Sequence, residues 1–351
     1  MLESLVEILR CPVTKSKFSL KVSKLVKKDF DNTLMEVIDE GILFSDGLWF
    51  YPIINGIPRF NIEAPFEYAN FLKVEMKDYE DRIGKLNETF GAFIKTVQKK
   101  TIRTRKSFSK EWSIYDYEMD KTWGADADGM LNLFLSETNE TLESLKGKII
   151  FDAGCGNGAL NSLVGAHGIT TIAMDFSNSV ERAYNNNKHS SVHYIQGNVQ
   201  FPPVVFSYFD IVHSSGVLIA TNNTELSFSC IEPLVKDGGK LSVWLYHKRK
   251  DFIHNTFNRI RKVTSKLPLP FQHFLYKFTL FPISYIVKRA KGNKQNTREM
   301  MIDLFDWFSP EFRWEHDHKE AEVWFLKRNY SNIKVTTSDM FGFSIIGKKE
   351  G

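Results

Sequence analysis

The chain has 351 residues, 42% hydrophobic and 14% aromatic, which excludes general disorder and suggests an ordinary domain with additions. Its net charge of +4 hides an asymmetry: residues 247–298 hold 13 Lys/Arg against one acid, Asp251, and residues 95–110 hold seven with none, on an otherwise acidic body. Cys11, Cys155 and Cys230 are too few and too scattered for a disulfide framework, and Met1–Leu5 lacks a signal-peptide pattern, so a cytoplasmic location is expected, peripheral to the inner membrane surface where the basic segments meet anionic lipid.

Residues 1–63 read as a small β-rich unit. A helix is expected over Leu2–Arg10, then alternating segments at Phe18–Val26 and Leu34–Asp39, then Leu48–Pro58, with Asn55-Gly56 as a tight turn between apolar runs. Residues 64–130 read as a helical connector or lid. Residues 131–250 alternate strands with helices: Lys148–Phe151, Thr170–Met174, His193–Gln196, Phe209–His213 and Lys240–Tyr246 are the expected strands, a pattern that implies a parallel sheet. Residues 251–308 form a basic, aromatic helical insertion. Its stretch Leu267–Val287 carries one charge, Lys277, but Pro268, Pro270 and Pro282 argue against a spanning helix and for a lid or membrane-surface helix. Residues 309–351 supply a helix, Lys319–Asn329, and two last strands, Ile333–Thr337 and Phe341–Lys348.

The chemistry sits in Asp152-Ala153-Gly154-Cys155-Gly156-Asn157-Gly158, a glycine-rich turn directly after an apolar strand. Glycine permits a tight turn and close approach of a ligand. The spacing is Gly-x-Gly-x-Gly, not the Gly-x-Gly-x-x-Gly of a dinucleotide site, and the acid two residues earlier would repel a phosphate while suiting a cationic amino-acid tail. A second acid, Asp175, ends the next strand, where a carboxylate accepts hydrogen bonds from ribose hydroxyls.

These motifs resemble the class I S-adenosylmethionine (SAM)-dependent methyltransferases, in particular a bacterial type 11-like group. Asp152–Gly158 resembles the first family motif, Asp175 the ribose acid, Gly197-Asn198-Val199 the Gly-Asp-x adenine contact with Asn in place of Asp, and Leu234–Leu241 the turn into strand five. The resemblance implies a Rossmann-like seven-stranded α/β sheet, SAM as cofactor and no metal. It implies cofactor contacts from Asp152, Ala153, Gly154, Cys155, Gly156, Gly158, Asp175, Phe176, Gly197, Asn198, Val199, Ser214 and Ser215. Phe108–Trp112, Lys121–Gly124 and Leu304–Pro310 resemble the group's flanks; where the group often has Gly-Val-Leu-His-His, this chain has Gly216–Ala220. Cys155 reads as packing in the turn.

Residues 1–63 resemble a zinc-ribbon-like family that includes the activator subunit of certain tRNA and protein methyltransferases, through Leu5–Pro12, Tyr51-Pro52-Ile53 and Gly56-Ile57-Pro58. Of the four expected ligand positions only Cys11 is a cysteine; Thr14, Phe44 and Gly47 stand at the others, and one thiolate does not make a four-ligand zinc site.

Methyl transfer needs alignment and exclusion of water more than side-chain chemistry. Tyr246 and His247, just past strand five, are the candidates to face the acceptor; His213 reads as buried and structural; Trp112 and Tyr115 are placed to close over the methionine tail. The expected activity is methylation of a small molecule, a sugar, glycolipid or other envelope intermediate. RNA methylation and a non-catalytic SAM-fold subunit are the alternatives. An anionic membrane surface or lipid-linked substrate is the expected further partner, ahead of RNA.

Overall fold

A computed structural model describes residues 1–114, 127–249 and 251–351. The first sheet holds β1 (Phe18–Phe30), β2 (Thr33–Ser45), β3 (Phe50–Ile54) and β4 (Ile57–Pro58), antiparallel in chain order. Asn55 and Gly56 both have positive φ (53° and 75°), the conformation of the tight turn expected there. Asp31 and Asn32 join β1 to β2 in the same way (49° and 67°), so this hairpin runs further than the sequence pattern suggested. The expected first helix is only a 3₁₀ turn, Glu3–Glu7, because it is too short to sustain an α-helix alone.

Helices α1 (Ala64–Glu67), α2 (Ala69–Glu75), α3 (Tyr79–Ile114), α4 (Ala127–Thr138) and α5 (Leu142–Leu145) lead to the second sheet. In chain order follow β5 (Ile149–Ala153), α6 (Ala159–Gly165), β6 (Thr170–Asp175), α7 (Ser179–Asn186), β7 (Val192–Gln196), β8 (Phe209–Ser215), α8 (Thr224–Ile231) and β9 (Val235–His247). The insertion is α9 (Phe252–Thr264), α10 (Leu269–Leu275), α11 (Phe281–Ala290) and α12 (Thr297–Phe308). Then come β10 (Glu315–His316), α13 (His318–Leu326), β11 (Tyr330–Ser338) and β12 (Gly342–Lys349).

The main path of this sheet is β11-β12-β9-β8-β5-β6-β7, parallel except for β12, with the seven strands expected; β10 adds two residues beside the end of β9. Strands covered on both faces need continuous apolar runs rather than alternation, and Ile150–Ala153 are all buried accordingly. β9 begins five residues earlier than expected, at Val235, because pairing with β8 resumes on both sides of a bulge at Asp237-Gly238-Gly239, where Gly238 takes a φ of 75°.

The outer strand β7 would expose unpaired backbone groups. The N-terminal unit covers it: Phe60 N–H donates to Gln196 O at 2.7 Å, and Arg59 bridges Gln196 in parallel. Gln196 is fully buried and accepts from Arg59 and Tyr68 through Oε1, while its Nε2 donates to Ser177 O at 3.2 Å. Arg59, also buried, pairs with Glu181 at 3.0 Å. One apolar cluster runs from Leu5, Tyr51 and Phe60 to Phe151, Ile195 and Val212, so both sheets share a core.

Candidate active site

The site lies beyond the carboxyl ends of the strands, where β5 has neighbours leading in opposite directions, β6 on one side and β8 on the other. Gly154 (φ 113°) and Gly156 (φ 54°) take conformations that side chains avoid. A Cβ on Gly154 would come within 2.1 Å of Val217, and one on Gly156 within 2.5 Å of the Trp112 ring. The N–H groups of Gly154 and Cys155 both donate to Met174 O, at 2.8 and 2.9 Å, which ties the turn to β6.

Asp175 closes the turn from β6. Its Oδ2 accepts from Gly156 N–H at 2.9 Å; its Oδ1 accepts from Ser177 N–H and Oγ, at 2.8 and 2.6 Å. Oδ2 keeps a lone pair for a further donor. Burial raises this carboxyl above its ordinary range, opposed by the donors of Ser177, Gly156 and Ser179. Asn198 is buried and its Oδ1 accepts from Gln200 N–H at 2.9 Å, so the side chain is held in a local turn after β7. Asn61 donates to Phe176 O, and Arg105 lies over the Phe176 ring at 5.9 Å. Val199 is buried beside Asn198. Ser214 Oγ donates to Ala153 O at 2.8 Å, and Ser215, exposed, reaches Glu137. Cys155 is buried, and burial together with Asp175 and Asp152 pushes its thiol well up, so it is no nucleophile.

Asp152 is turned away from the turn it leads. Its Oδ2 accepts from Asn161 Nδ2 at 2.8 Å and its Oδ1 meets His213 Nδ1 at 3.2 Å. His213 Nε2 lies 2.8 Å from Glu137 Oε2, whose other oxygen accepts from Ser344 Oγ at 2.8 Å. All three titratable groups are buried. Burial alone would discharge the imidazole, yet the hydrogen bonds and charges of Asp152 and Glu137 outweigh it and raise His213 to about 10. The histidine of the fourth strand is thus buried and held between the carboxyl groups of Asp152 and Glu137. Glu137 escaped the sequence reading because it belongs to α4, far along the chain from its partners.

Helix α3 crosses the glycine turn. Trp112 rests on Gly156, and Ser109 Oγ accepts from Asn178 N–H at 3.2 Å. Tyr115 and Lys121–Gly124 lie outside the described residues. On the neighbouring face of α3, Ser107 Oγ meets Ser309 Oγ at 2.7 Å, which packs α3 on the end of α12. One turn further on, Glu111 is 1% exposed and its Oε2 has no hydrogen-bond partner among the described residues.

Tyr246 and His247 separate. Tyr246 Oη donates to Asp306 Oδ2 at 3.3 Å, and the Arg313 guanidinium stacks between the Tyr246 and Trp307 rings at 3.8 and 4.2 Å. His247 stacks on Phe343 and reaches Ser338 Oγ at 3.2 Å. Alternation along a strand puts adjacent side chains on opposite faces, which is why only Tyr246 joins Asp306. Burial raises Asp306 to about 6, opposed by Arg313 and reinforced by Asp303. Burial also pushes Glu111 well above the carboxylate range, with the charges of Asp306, Asp303 and Asp175 adding to it. Asp303, Asp306 and Arg313 went unassigned in the sequence. The signal was two acids inside the apolar run Met300–Phe308.

Residues 151–243 match the profile of a family described as "Methyltransferase domain". No curated protein matches the chain. Similar solved structures include magnesium protoporphyrin IX methyltransferase from Synechocystis PCC 6803 with bound SAM, at 13% identity, covering 72% of this chain and 97% of that one, with a TM-score of 0.42. A SAM-dependent methyltransferase from Methanosarcina mazei is 13% identical over 58% of this chain and 92% of that one, TM-score 0.37. The YcgJ protein from Bacillus subtilis is 15% identical over 63% and 98%, TM-score 0.36.

The chain is thus an enzyme of the class its fold and matched domain define, a transferase with a Rossmann-like sheet. In particular it is a SAM-dependent methyltransferase. The residues fit that cofactor: the glycines leave a cradle that any Cβ would fill, and Asp175 keeps acceptor capacity beside it. The acids Glu111, Asp175 and Asp306 favour a cation. When bound, SAM supplies an already activated methyl group; the protein aligns it and keeps water out.

Proposed function

We propose that the enzyme methylates a small-molecule acceptor, a sugar, glycolipid or other envelope intermediate, presented at an anionic membrane surface. The observation that carries this reading is the outer face of α9–α11. Phe252, Phe271, Phe274, Phe278, Ile283 and Ile286 are each more than half exposed there, from 51% to 82%. Lys262, Lys266, Lys277, Lys291 and Lys294 are exposed among them, and no acid occurs between Asp251 and Glu299. Water-facing aromatic residues in this number mark an interaction surface. Interleaved with cations and no acid, they suit anionic lipid, at about 1 kcal/mol per basic residue near the surface. None of the described helices is long and apolar enough to cross a membrane, so the fitting mode is docking on the surface. The insertion leaves from the end of β9, beside Tyr246, so a docked α9–α11 would hold a lipid-linked acceptor near the site.

Co-sedimentation with phosphatidylglycerol vesicles, against neutral phosphatidylcholine vesicles, tests this. Expected is salt-sensitive binding to the anionic vesicles alone, lost when Lys277, Lys291 and Lys294 are replaced by Glu. No binding at low salt removes the membrane and the lipid-linked acceptor from the proposal. Binding to RNA in place of vesicles would favour the RNA alternative.

A further inference from the structure

Glu111 stands on α3 between the glycine turn and the end of α12. The helix fixes this. Ser109 and Trp112 of α3 touch the turns of the cofactor cradle, at Asn178 and Gly156, while Ser107 meets Ser309 at the end of α12. Residues 107 and 111 share one helix face, and 111 and 112 are adjacent, so Glu111 lies on the ridge between the two contacts. Its electrostatic neighbours come from both sides, Asp306 and Asp303 from α12 and Asp175 from β6.

A buried carboxyl oxygen without a partner is costly, and a fold normally satisfies it. Among the described residues no cation does so. Arg313, whose charge acts on Asp306, is committed to Glu315 at 2.8 Å and to the rings of Tyr246 and Trp307. Arg105, one and a half turns back on α3, is committed to Glu63 and Glu67 at 3.1 and 2.7 Å. Asp152, the acid that motif spacing offers to a cationic ligand, is held by His213 and Asn161. Glu111 Oε2 is therefore an unmet acceptor on the α12 side of the cradle.

We propose that Glu111 is the catalytic base of methyl transfer, holding the O–H or N–H of a protic acceptor against the methyl group, with Asp306 and Tyr246 completing its pocket. In the step, the acceptor heteroatom bonds the methyl carbon as the carbon–sulfur bond breaks, and that electron pair stays on sulfur. The acceptor proton passes to the Glu111 carboxylate, leaving methylated product, S-adenosylhomocysteine and a protonated Glu111. Positive charge moves from sulfur toward the acceptor during transfer, so a carboxylate on the acceptor side binds the transition state better than the ground state.

The test needs no known acceptor, and it rests on the SAM reading. Sinefungin carries C–NH₃⁺ where SAM carries S⁺–CH₃, so its ammonium occupies the place of the transferring methyl. S-adenosylhomocysteine has nothing there. Isothermal titration of both ligands is run on the full chain and on Glu111→Gln and Asp306→Asn. Expected for the unaltered enzyme is at least tenfold tighter binding of sinefungin than of S-adenosylhomocysteine. Glu111→Gln should lose at least tenfold in sinefungin affinity with S-adenosylhomocysteine within twofold, and Asp306→Asn should lose less. Equal binding of the two ligands by the unaltered enzyme, or equal weakening of both by Glu111→Gln with an unchanged unfolding midpoint, overturns the proposal. Failure of S-adenosylhomocysteine to bind the unaltered enzyme would instead strike the cofactor reading.

Discussion

Replacing His213 by Gln should destabilise the fold by an amount that shrinks as pH rises. In the folded protein the imidazole lies between Asp152 and Glu137 and keeps its proton to about pH 10, against an ordinary value of 6.5. The folded value is raised, so the stabilisation is fully present below pH 6.5 and is lost as pH climbs towards 10. Across that window the folded chain holds one proton more than the unfolded chain, and stability falls by about 1.4 kcal/mol per pH unit. Over the whole interval this amounts to about 5 kcal/mol, comparable with the 3–5 kcal/mol typical for breaking a buried ion pair. Glutamine is nearly isosteric and leaves two buried carboxylates without their cation. Urea unfolding of both proteins at pH 7, 8 and 9 measures the difference. A difference that starts at about 3–5 kcal/mol and narrows with pH is expected. A gap under about 1 kcal/mol, or one flat in pH, would show that His213 is neutral in the fold and refute the reasoning.

Two further outcomes bear on the cofactor site. Asp175→Ala removes the acceptor beside Gly156 and should weaken SAM binding by about 1–3 kcal/mol, roughly 5- to 150-fold by calorimetry. Gly154→Ala places a Cβ 2.1 Å from Val217 at a φ of 113°, so it should abolish detectable SAM binding and lower the unfolding midpoint, whereas Gly216→Ala, with nothing within 4 Å of its Cβ, should keep binding measurable.

The seven strands of the catalytic sheet and the helices between them were legible because buried parallel strands write themselves as short apolar runs bounded by glycine turns. The glycine turn was legible for a related reason: Gly154, Gly156 and Gly158 sit where glycine best tolerates the backbone, so a local constraint left a local mark. The turn Asn55-Gly56 is the same kind of signal. The basic insertion was visible as composition. What each acid does was not. Asp152 was read from its place in the motif alone, and its partners His213 and Asn161 come from tertiary packing. Glu137 meets Ser344 across a separation of 207 residues, and Ser107 meets Ser309 across 202, distances over which no periodicity carries information. Tyr246 and Asp306 meet from two separate elements, β9 and α12. Backbone conformation is a property of neighbours in the chain and can be read from them; the partner of a buried charge is a property of neighbours in space, and only the folded chain decides it.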